Sequence, residues 1–400
     1  MQVEQRIELD TVSEETMFVG KIKPYTGFDS HFSEIERVLQ KITMFLGSAD
    51  NVEREVRLFE NGMISNGSTL ISEAVENSFN EILNNACQYS TNSEIIVTMN
   101  EDTISIENEC DIQCIPFSNN DLTNFETNID LVFGRINCSP FHYKMGAKIT
   151  NITSNEFVVE IGDNTNGVHQ RIVWRNNMRE KKSSVCTPAY IYSDGEWKLD
   201  ETVDRYTGKN FIRVTWKQDF LCGKKGDCVK DSYSEEDISF YTAKLVDASF
   251  SYGKTIIFNG KLIDYRNMID YVSLFTDENE TIFYSNEYVN LAIFDNIGGY
   301  DSSISFVNGL QTIKGGIHVN EAYRSILDLL ISSFPDIDFS NVNVESLKKN
   351  MSIIIKYNCY NPIFRHVTKD SLLSPKPSIV LDGSSIETIK KWKSFMDITN

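Results

Sequence analysis

The sequence predicts an α+β fold built as two mixed domains that meet near residue 225. Three observations carry this. A helix-spaced apolar stripe over 70–88 is followed at once by paired β-rich runs. The stretch Cys222-Gly223-Lys224-Lys225-Gly226-Asp227 is polar and loop-like. Beyond it a second set of helical and strand patterns begins afresh, with no internal repeat.

The elements follow in order. From Leu70 to Gln88, apolar residues fall at 70, 71, 74, 75, 79, 82, 83 and 86, the three-four spacing of an amphipathic helix. Its opposite face carries Asn77, Glu81, Asn84, Asn85 and Gln88. Glu94–Met99 and Thr103–Glu107, separated by Asn100-Glu101-Asp102, read as a hairpin. Further strands are predicted at Phe157–Ile161, Arg171–Arg175 and Phe211–Trp216. In the second domain a helix is expected over 236–249, then a hairpin over Thr255–Ile263 with Asn259-Gly260 at a type I′ turn. Strands at 290–295, 303–307 and 352–357 and helices at 320–333 and 385–397 complete it.

Composition bounds the function. Four hundred residues suggest two or three domains at roughly 100–200 residues each. With 41% hydrophobic residues, 24% charged and 8 prolines, the chain is globular, neither extensively disordered nor collagen-like. No run approaches the ~18 apolar residues of a membrane helix. The polar start Met1-Gln2-Val3-Glu4-Gln5 is no signal peptide, so a cytoplasmic protein without a membrane partner is expected. A net charge of -19 opposes a cationic nucleic-acid coat, though not a local basic patch. The 8 cysteines form no CxxC pair. Cys110 and Cys114 have knuckle spacing without a second pair, and reduced thiols are the plain reading.

Several segments bear chemistry. Glu81 and Asn85, four apart on one helix, point the same way. At a nucleotide pocket the carboxylate would accept a proton from water and the amide oxygen would complete a Mg²⁺ shell; elsewhere they are a solvated polar face. Asp111, after the second strand, is either a turn residue or a ligand contact. Gly146-Ala147-Lys148 opens an apolar helix, which offers N–H groups and a lysine to phosphates or is an ordinary helix start. His318 has no His or Cys at ligand spacing, which argues against a metal site. Asp382-Gly383-Ser384-Ser385 reads as a turn and helix cap.

The order of the pieces resembles the ATPase region of type II DNA topoisomerases, a branch of the GHKL (Bergerat-fold) ATPases. The family helix F-D-E-I-L-x-N-A is matched by Phe79-Asn80-Glu81-Ile82-Leu83-Asn84-Asn85-Ala86. Its D-G-x-G-I-P turn corresponds to Asp111–Pro116, its F-G pair to Phe133-Gly134, and its G-A-K-L-x-N-I to Gly146–Ile152. R-V-T-F-x-P-D-F is echoed by Arg213–Phe220. F-V-N-x-x-x-T-x-x-G-G-x-H is matched by Phe306–His318, and N-P-x-F-x-x-Q-T-K by Asn361–Lys369.

The resemblance implies an N-terminal arm over 1–30, ending near Met17-Phe18-Val19-Gly20, and a GHKL ATPase α/β sandwich over 31–225. A ribosomal S5 domain 2-like transducer would span 226–400. ATP and Mg²⁺ are the implied cofactors. Glu81 would be the general base, Asn85 the Mg²⁺ ligand, and Asp111 the acceptor of the adenine amino group. Gly146, Ala147 and Lys148 would cradle the phosphates, and Thr368-Lys369 would reach in from the transducer to the γ-phosphate. The partners would be a second copy of the chain on ATP binding, a captured DNA duplex, and a cleavage subunit or region carrying the toprim and tyrosine chemistry. Lys314, Lys348, Lys349, Lys390 and Lys391 are either DNA contacts or solvated lysines. Split subunits of this kind occur in large phages, and the divergence points toward such a source.

The sequence also departs from the family. Ile112 and Cys114 replace the two glycines of the Asp turn, and β-branched Ile112 suits poorly any position that needs positive φ. Phe141 and Lys144 replace two lid glycines, and Val367 replaces the glutamine of Q-T-K. An active ATP clamp and a degenerate docking module both remain as readings.

Overall fold

The computed structural model describes residues 79–117, 126–134, 145–193, 196–220, 231–276, 280–296, 303–365 and 369–399. It also describes three short strands, β1 (Gln5–Arg6), β2 (Glu8–Leu9) and β3 (Gly20–Lys21). The start of the predicted helix at 70–78 and Met17, Phe18 and Val19 of the expected arm lie outside the described residues.

The chain divides into two compact units, Met1–Leu245 with Thr255–Ile263, and Val246–Lys254 with Asp264–Asn400. In the first unit, α1 covers 79–89. β4 (Glu94–Met99) and β5 (Thr103–Asn108) form the predicted hairpin, each with alternate residues buried. β6 (Pro116–Phe117) pairs with β7 (Glu126–Thr127), and α2 (Asn128–Gly134) and α3 (Met145–Ile152) follow. β8 (Ser154–Asp163), β9 (Val168–Arg175) and β10 (Glu180–Thr187) form a meander. β11 (Tyr190–Ser193) and β12 (Glu196–Leu199) make a separate hairpin, and β13 (Phe211–Gln218) returns between β8 and β5.

The helix α4 (Glu235–Tyr252) begins in the first unit and ends in the second. The hairpin β14 (Thr255–Phe258) and β15 (Lys261–Ile263) turns through Asn259 and Gly260, both at positive φ, as a type I′ turn requires. The sequence reading put this hairpin with the second domain, yet β14 pairs parallel with β4 of the first unit. Asn259 fixes that placement, its side chain accepting from the Met99 N–H and donating to the Met99 carbonyl. The sheet therefore has nine strands in the order β1-β10-β9-β8-β13-β5-β4-β14-β15.

One face of this sheet is apolar. Ile104, Ile106, Phe157, Val159, Val214 and Trp216 are buried there, and Phe79 of α1 meets Trp216 with ring centroids 6.2 Å apart. The other face carries a cross-strand ladder, in which Arg213 bridges Glu107 and Glu160 and His169 joins Glu160. This is the division expected of an antiparallel sheet with helices on one side.

In the second unit, α5 (Met268–Val272) precedes a five-stranded sheet. Its strands are β16 (Ile282–Ser285), β17 (Val289–Asp295), β18 (Ile304–Val307), β19 (Leu310–Gln311) and β20 (Met351–Tyr357), in the order β16-β17-β20-β18-β19. Central β20 is buried almost throughout, and α6 (Ile317–Ser333) contributes Val319, Ala322, Tyr323, Ile326, Leu329 and Leu330 to the core. α7 (Val344–Asn350) opens on a capping box from Asn343. A small hairpin joins β21 (Ile363–Phe364) to β22 (Leu372–Ser374). The helix expected over 385–397 is two pieces, α8 (Ile386–Ile389) and α9 (Lys393–Thr399). Ser385 occupies the N-cap position of α8 without a side-chain cap bond.

Candidate functional site

α1 separates its faces sharply. Phe79, Ile82, Leu83, Ala86 and Cys87 are buried, while Glu81, Asn84 and Asn85 stay half-exposed. Glu81 and Asn85, one turn apart, lie on that same open side. Where the chain leaves the helix, the Thr91 N–H donates to the Glu109 carbonyl at 2.9 Å. This bond laces the exit of α1 to the segment after β5, two residues before Asp111.

Asp111 is exposed, and one carboxylate oxygen accepts from the Asn210 amide at 3.3 Å. The turn that follows is held from several directions. The Cys114 N–H donates to Asp163 at 2.7 Å, and the Tyr190 hydroxyl donates to the Cys114 carbonyl at 3.1 Å. Asn128, at the start of α2, accepts from the Ile115 N–H at 2.9 Å and donates to the Gln113 carbonyl at 2.8 Å. The described residues at positive φ do not include Ile112. The turn thus does not need positive φ at this position, and its backbone is one that a β-branched residue accepts.

A buried polar cluster lies behind the turn. Asp130 accepts from the Thr127 N–H at 2.8 Å and pairs with Lys181 at 2.5 Å, the two charged side chains being 3% and 8% exposed. The Gln170 side-chain oxygen accepts both the Thr127 hydroxyl, at 2.9 Å, and the Cys114 thiol, at 3.0 Å. Contact with the Cys186 thiol, and then burial, push the Cys114 thiol well above the ordinary range.

α2 and α3 flank the segment 135–144, which includes Phe141 and Lys144 and lies outside the described residues. Gly134 ends α2 where a Cβ would stand 2.6 Å from the Trp174 ring, so the Phe-Gly pair has a steric origin. Gly146 and Ala147 lie in the first turn of α3, where helix N–H groups lack intrahelical acceptors. Ala147 is buried, and the side chain of Lys148 lies outside the described residues. Asn151 is buried and donates to the Phe133 carbonyl at 3.0 Å, tying the two flanks together.

Lys369 belongs to the second unit; Val367 and Thr368 lie outside the described residues. Lys369 is exposed at φ +57°, in the loop between β21 and β22. That loop is bonded to the Gly315-Gly316 turn. The Lys314 N–H donates to the Asp370 carbonyl at 2.8 Å and the Leu372 N–H to the Gly315 carbonyl at 3.1 Å. Gly316 has φ +137°, and a Cβ there would stand 2.4 Å from the Leu372 carbonyl oxygen. His318, one residue into α6, is fully buried, with Nε2 3.2 Å from the Thr312 hydroxyl. Burial pushes its pKa down to about 3, so it is neutral.

Glu81, Asn85, Asp111, Gly146 and Ala147 thus share the first unit, linked through α1, the Asp111 turn, α2 and α3. The residues that fix the turn, Asn128, Asp163, Tyr190 and Asn210, escaped the sequence reading because each reaches it from a distant element. Among the lysines weighed as DNA contacts, Lys314 pairs with Asp370, Lys348 with Glu345 and Lys390 with Glu387. Among the described residues no helix is long and apolar enough to cross a membrane.

Comparison with known proteins agrees with this layout. Residues 257–393 match the family model described as DNA gyrase B. The chain is 24% identical to DNA topoisomerase 2 of Pisum sativum, over 91% of this chain and 26% of that protein. It is also 24% identical to DNA topoisomerase 2 of Invertebrate iridescent virus 6, over 92% of this chain and 34% of that one. The chain therefore spans between a quarter and about a third of the length of these two relatives. Among solved structures, the ATPase and transducer domains of DNA topoisomerase II from Balamuthia mandrillaris superpose with a TM-score of 0.62 at 21% identity, covering 82% of this chain and 83% of that one. Over nine-tenths of its length the chain is similar to type II DNA topoisomerases, and its fold is that of the ATPase and transducer domains solved for one of them.

Proposed function

We propose that this chain is the ATP-operated clamp of a type II DNA topoisomerase, closing as a homodimer around a DNA duplex. The observation that carries this reading is the open face of α1. It holds Glu81 and Asn85 one turn apart, with the helix exit bonded to the segment that carries Asp111. Glu81 accepts the proton of the attacking water, a role that needs a carboxylate left partly open to solvent. Asp111 is exposed and, among the described residues, accepts from Asn210 at 3.3 Å, which leaves acceptor capacity for an adenine amino group. Gly146, Ala147 and Lys148 receive phosphates at the start of α3. Lys369, with Thr368 beside it, contributes fixed positive charge from the transducer.

The residues fit ATP with Mg²⁺. Among the described residues no group of three His, Cys, Asp or Glu side chains is placed to hold a metal, and Mg²⁺ bound with a nucleotide needs none. Asn85 would supply one oxygen ligand, and the bound ion neutralises phosphate charge. In this reading the clamp works with a cleavage subunit or region that carries the toprim and tyrosine chemistry.

One observation favours a second reading, a docking module without turnover. Cys114 stands where the family has glycine, and its N–H is already committed to Asp163. Calorimetric titration with a non-hydrolysable ATP analogue and Mg²⁺, read beside the oligomeric state, separates the two. The clamp gives saturable binding and analogue-driven dimers. Absence of binding at millimolar analogue, or dimers indifferent to it, selects the docking module.

A further inference from the structure

Two thiols meet beneath the Asp111 turn. Cys186, on β10, is the direct cross-strand partner of Gln170 on β9. Such partners project to the same face with Cβ atoms roughly 4.5–5.5 Å apart. The Cys114 thiol bonds to Gln170 Oε1 at 3.0 Å, so it reaches down to the site flanked by Cys186. Both thiols are free, and Gln170 lies between them, bonded by the one and facing the other across the strands. Cys114 is buried at 1% exposure, whereas Cys186 is partly open to solvent between exposed Val185 and Thr187. The described residues provide no third His, Cys, Asp or Glu to complete a metal site with the pair.

We propose that Cys114 and Cys186 are a disulfide-forming pair, oxidised by a small-molecule disulfide, whose closure fastens the 111–116 turn to β10.

The accessible thiol reacts first. The Cys186 thiolate attacks one sulfur of oxidised glutathione, forms a mixed disulfide and releases one glutathione thiolate. The Cys114 sulfur then attacks the Cys186 sulfur as its proton passes to the departing glutathione sulfur. The Cys114–Cys186 bond forms, the bond to glutathione breaks, and a second glutathione leaves. Two protein thiols are oxidised and one small disulfide is reduced to two thiols. The Cys114 end is already aimed, because its N–H and carbonyl are held by Asp163 and Tyr190. The bond would join residues 72 positions apart, so it would restrain the unfolded chain as well as the turn.

The test uses the full chain incubated with oxidised glutathione, then alkylated, digested and sequenced by mass spectrometry. The expected product is a Cys114–Cys186 cross-linked peptide that disappears on reduction and is absent from Cys186→Ser. Amide hydrogen exchange across 111–116 should slow several-fold in the oxidised chain and recover with reductant. A glutathione adduct persisting on Cys186 without the cross-link would overturn the proposal, as would Cys114 bonded to another cysteine. Unchanged exchange in a fully cross-linked sample would overturn the fastening of the turn.

Discussion

The side chain of Asn151 donates to the main-chain carbonyl of Phe133 at 3.0 Å, joining the helices on either side of the segment 135–144. Both residues are buried, so the bond has no water to replace it. Replacing Asn151 by Ala should cost about 1–2 kcal/mol, measured by urea unfolding. Asn151→Asp should cost more, because a carboxylate would then face a carbonyl oxygen. Wild-type stability in Asn151→Ala would show that the bond contributes nothing.

Glu81 tests the chemistry. Glu81→Gln keeps the shape of the side chain but removes the carboxylate proposed as the base. ATP turnover should fall by roughly 10²-fold or more, while affinity for a non-hydrolysable analogue stays within a few-fold of wild type. An unchanged turnover rate would remove Glu81 from the role of base.

Gly316 sits at φ +137° with the Leu372 backbone closed over it. Gly316→Ala meets both the φ restriction and a carbonyl oxygen 2.4 Å from the new Cβ. Destabilisation of at least about 2 kcal/mol is expected, together with looser exchange protection at Leu372. Gly383, where nothing lies within 4 Å and φ is ordinary, is the control and should tolerate Ala.

The Asp130–Lys181 pair is buried on both sides. Lys181→Met strands the carboxylate and should cost about 3–5 kcal/mol in chemical denaturation. Adding Asp130→Asn keeps an oxygen acceptor for Thr127 without the charge, and should recover most of that loss. A double variant as unstable as the single one would show that packing, not charge, is at stake.

His318 makes a pH prediction. Burial holds its folded pKa near 3, below the unfolded value of about 6.5, so the unfolded chain binds the proton first. Stability from this group is complete above about pH 6.5 and declines as pH falls toward the folded pKa, by up to about 1.4 kcal/mol per pH unit. His318→Gln should flatten that part of the profile between pH 6 and 4, as read by denaturation at each pH. An identical slope in the variant would place the acid sensitivity elsewhere.

Much of the fold was legible because it is written in local periodicity. The alternation in β4 and β5, the Asn259-Gly260 turn and the apolar stripe of α6 each lie within one segment. Glu81 and Asn85 were legible for the same reason, being one turn apart on a helix. Pairing across long separations was not. β10 begins with Glu180-Lys181-Lys182 and hides its buried lysine, because Asp130 supplies the compensating charge from another element. Whether position 112 needs positive φ was not legible, because the turn is held by Asn128 and Asp163, which no local pattern announces. The helical spacing over 385–397 does not show the break at Trp392, whose indole donates to the Glu280 carbonyl.

The route of the chain through its two units has a practical consequence for how a gene fragment should be cut. The backbone passes from one unit to the other after Leu245, returns after Lys254 and leaves again after Ile263. A fragment stopped near residue 225 would lose β14 and β15 and bare the outer edge of β4, whose hydrogen-bonding groups are otherwise taken up by β14. An uncovered strand edge is a template for self-association. Such a fragment should precipitate or oligomerise indiscriminately, and its behaviour would say little about the intact chain.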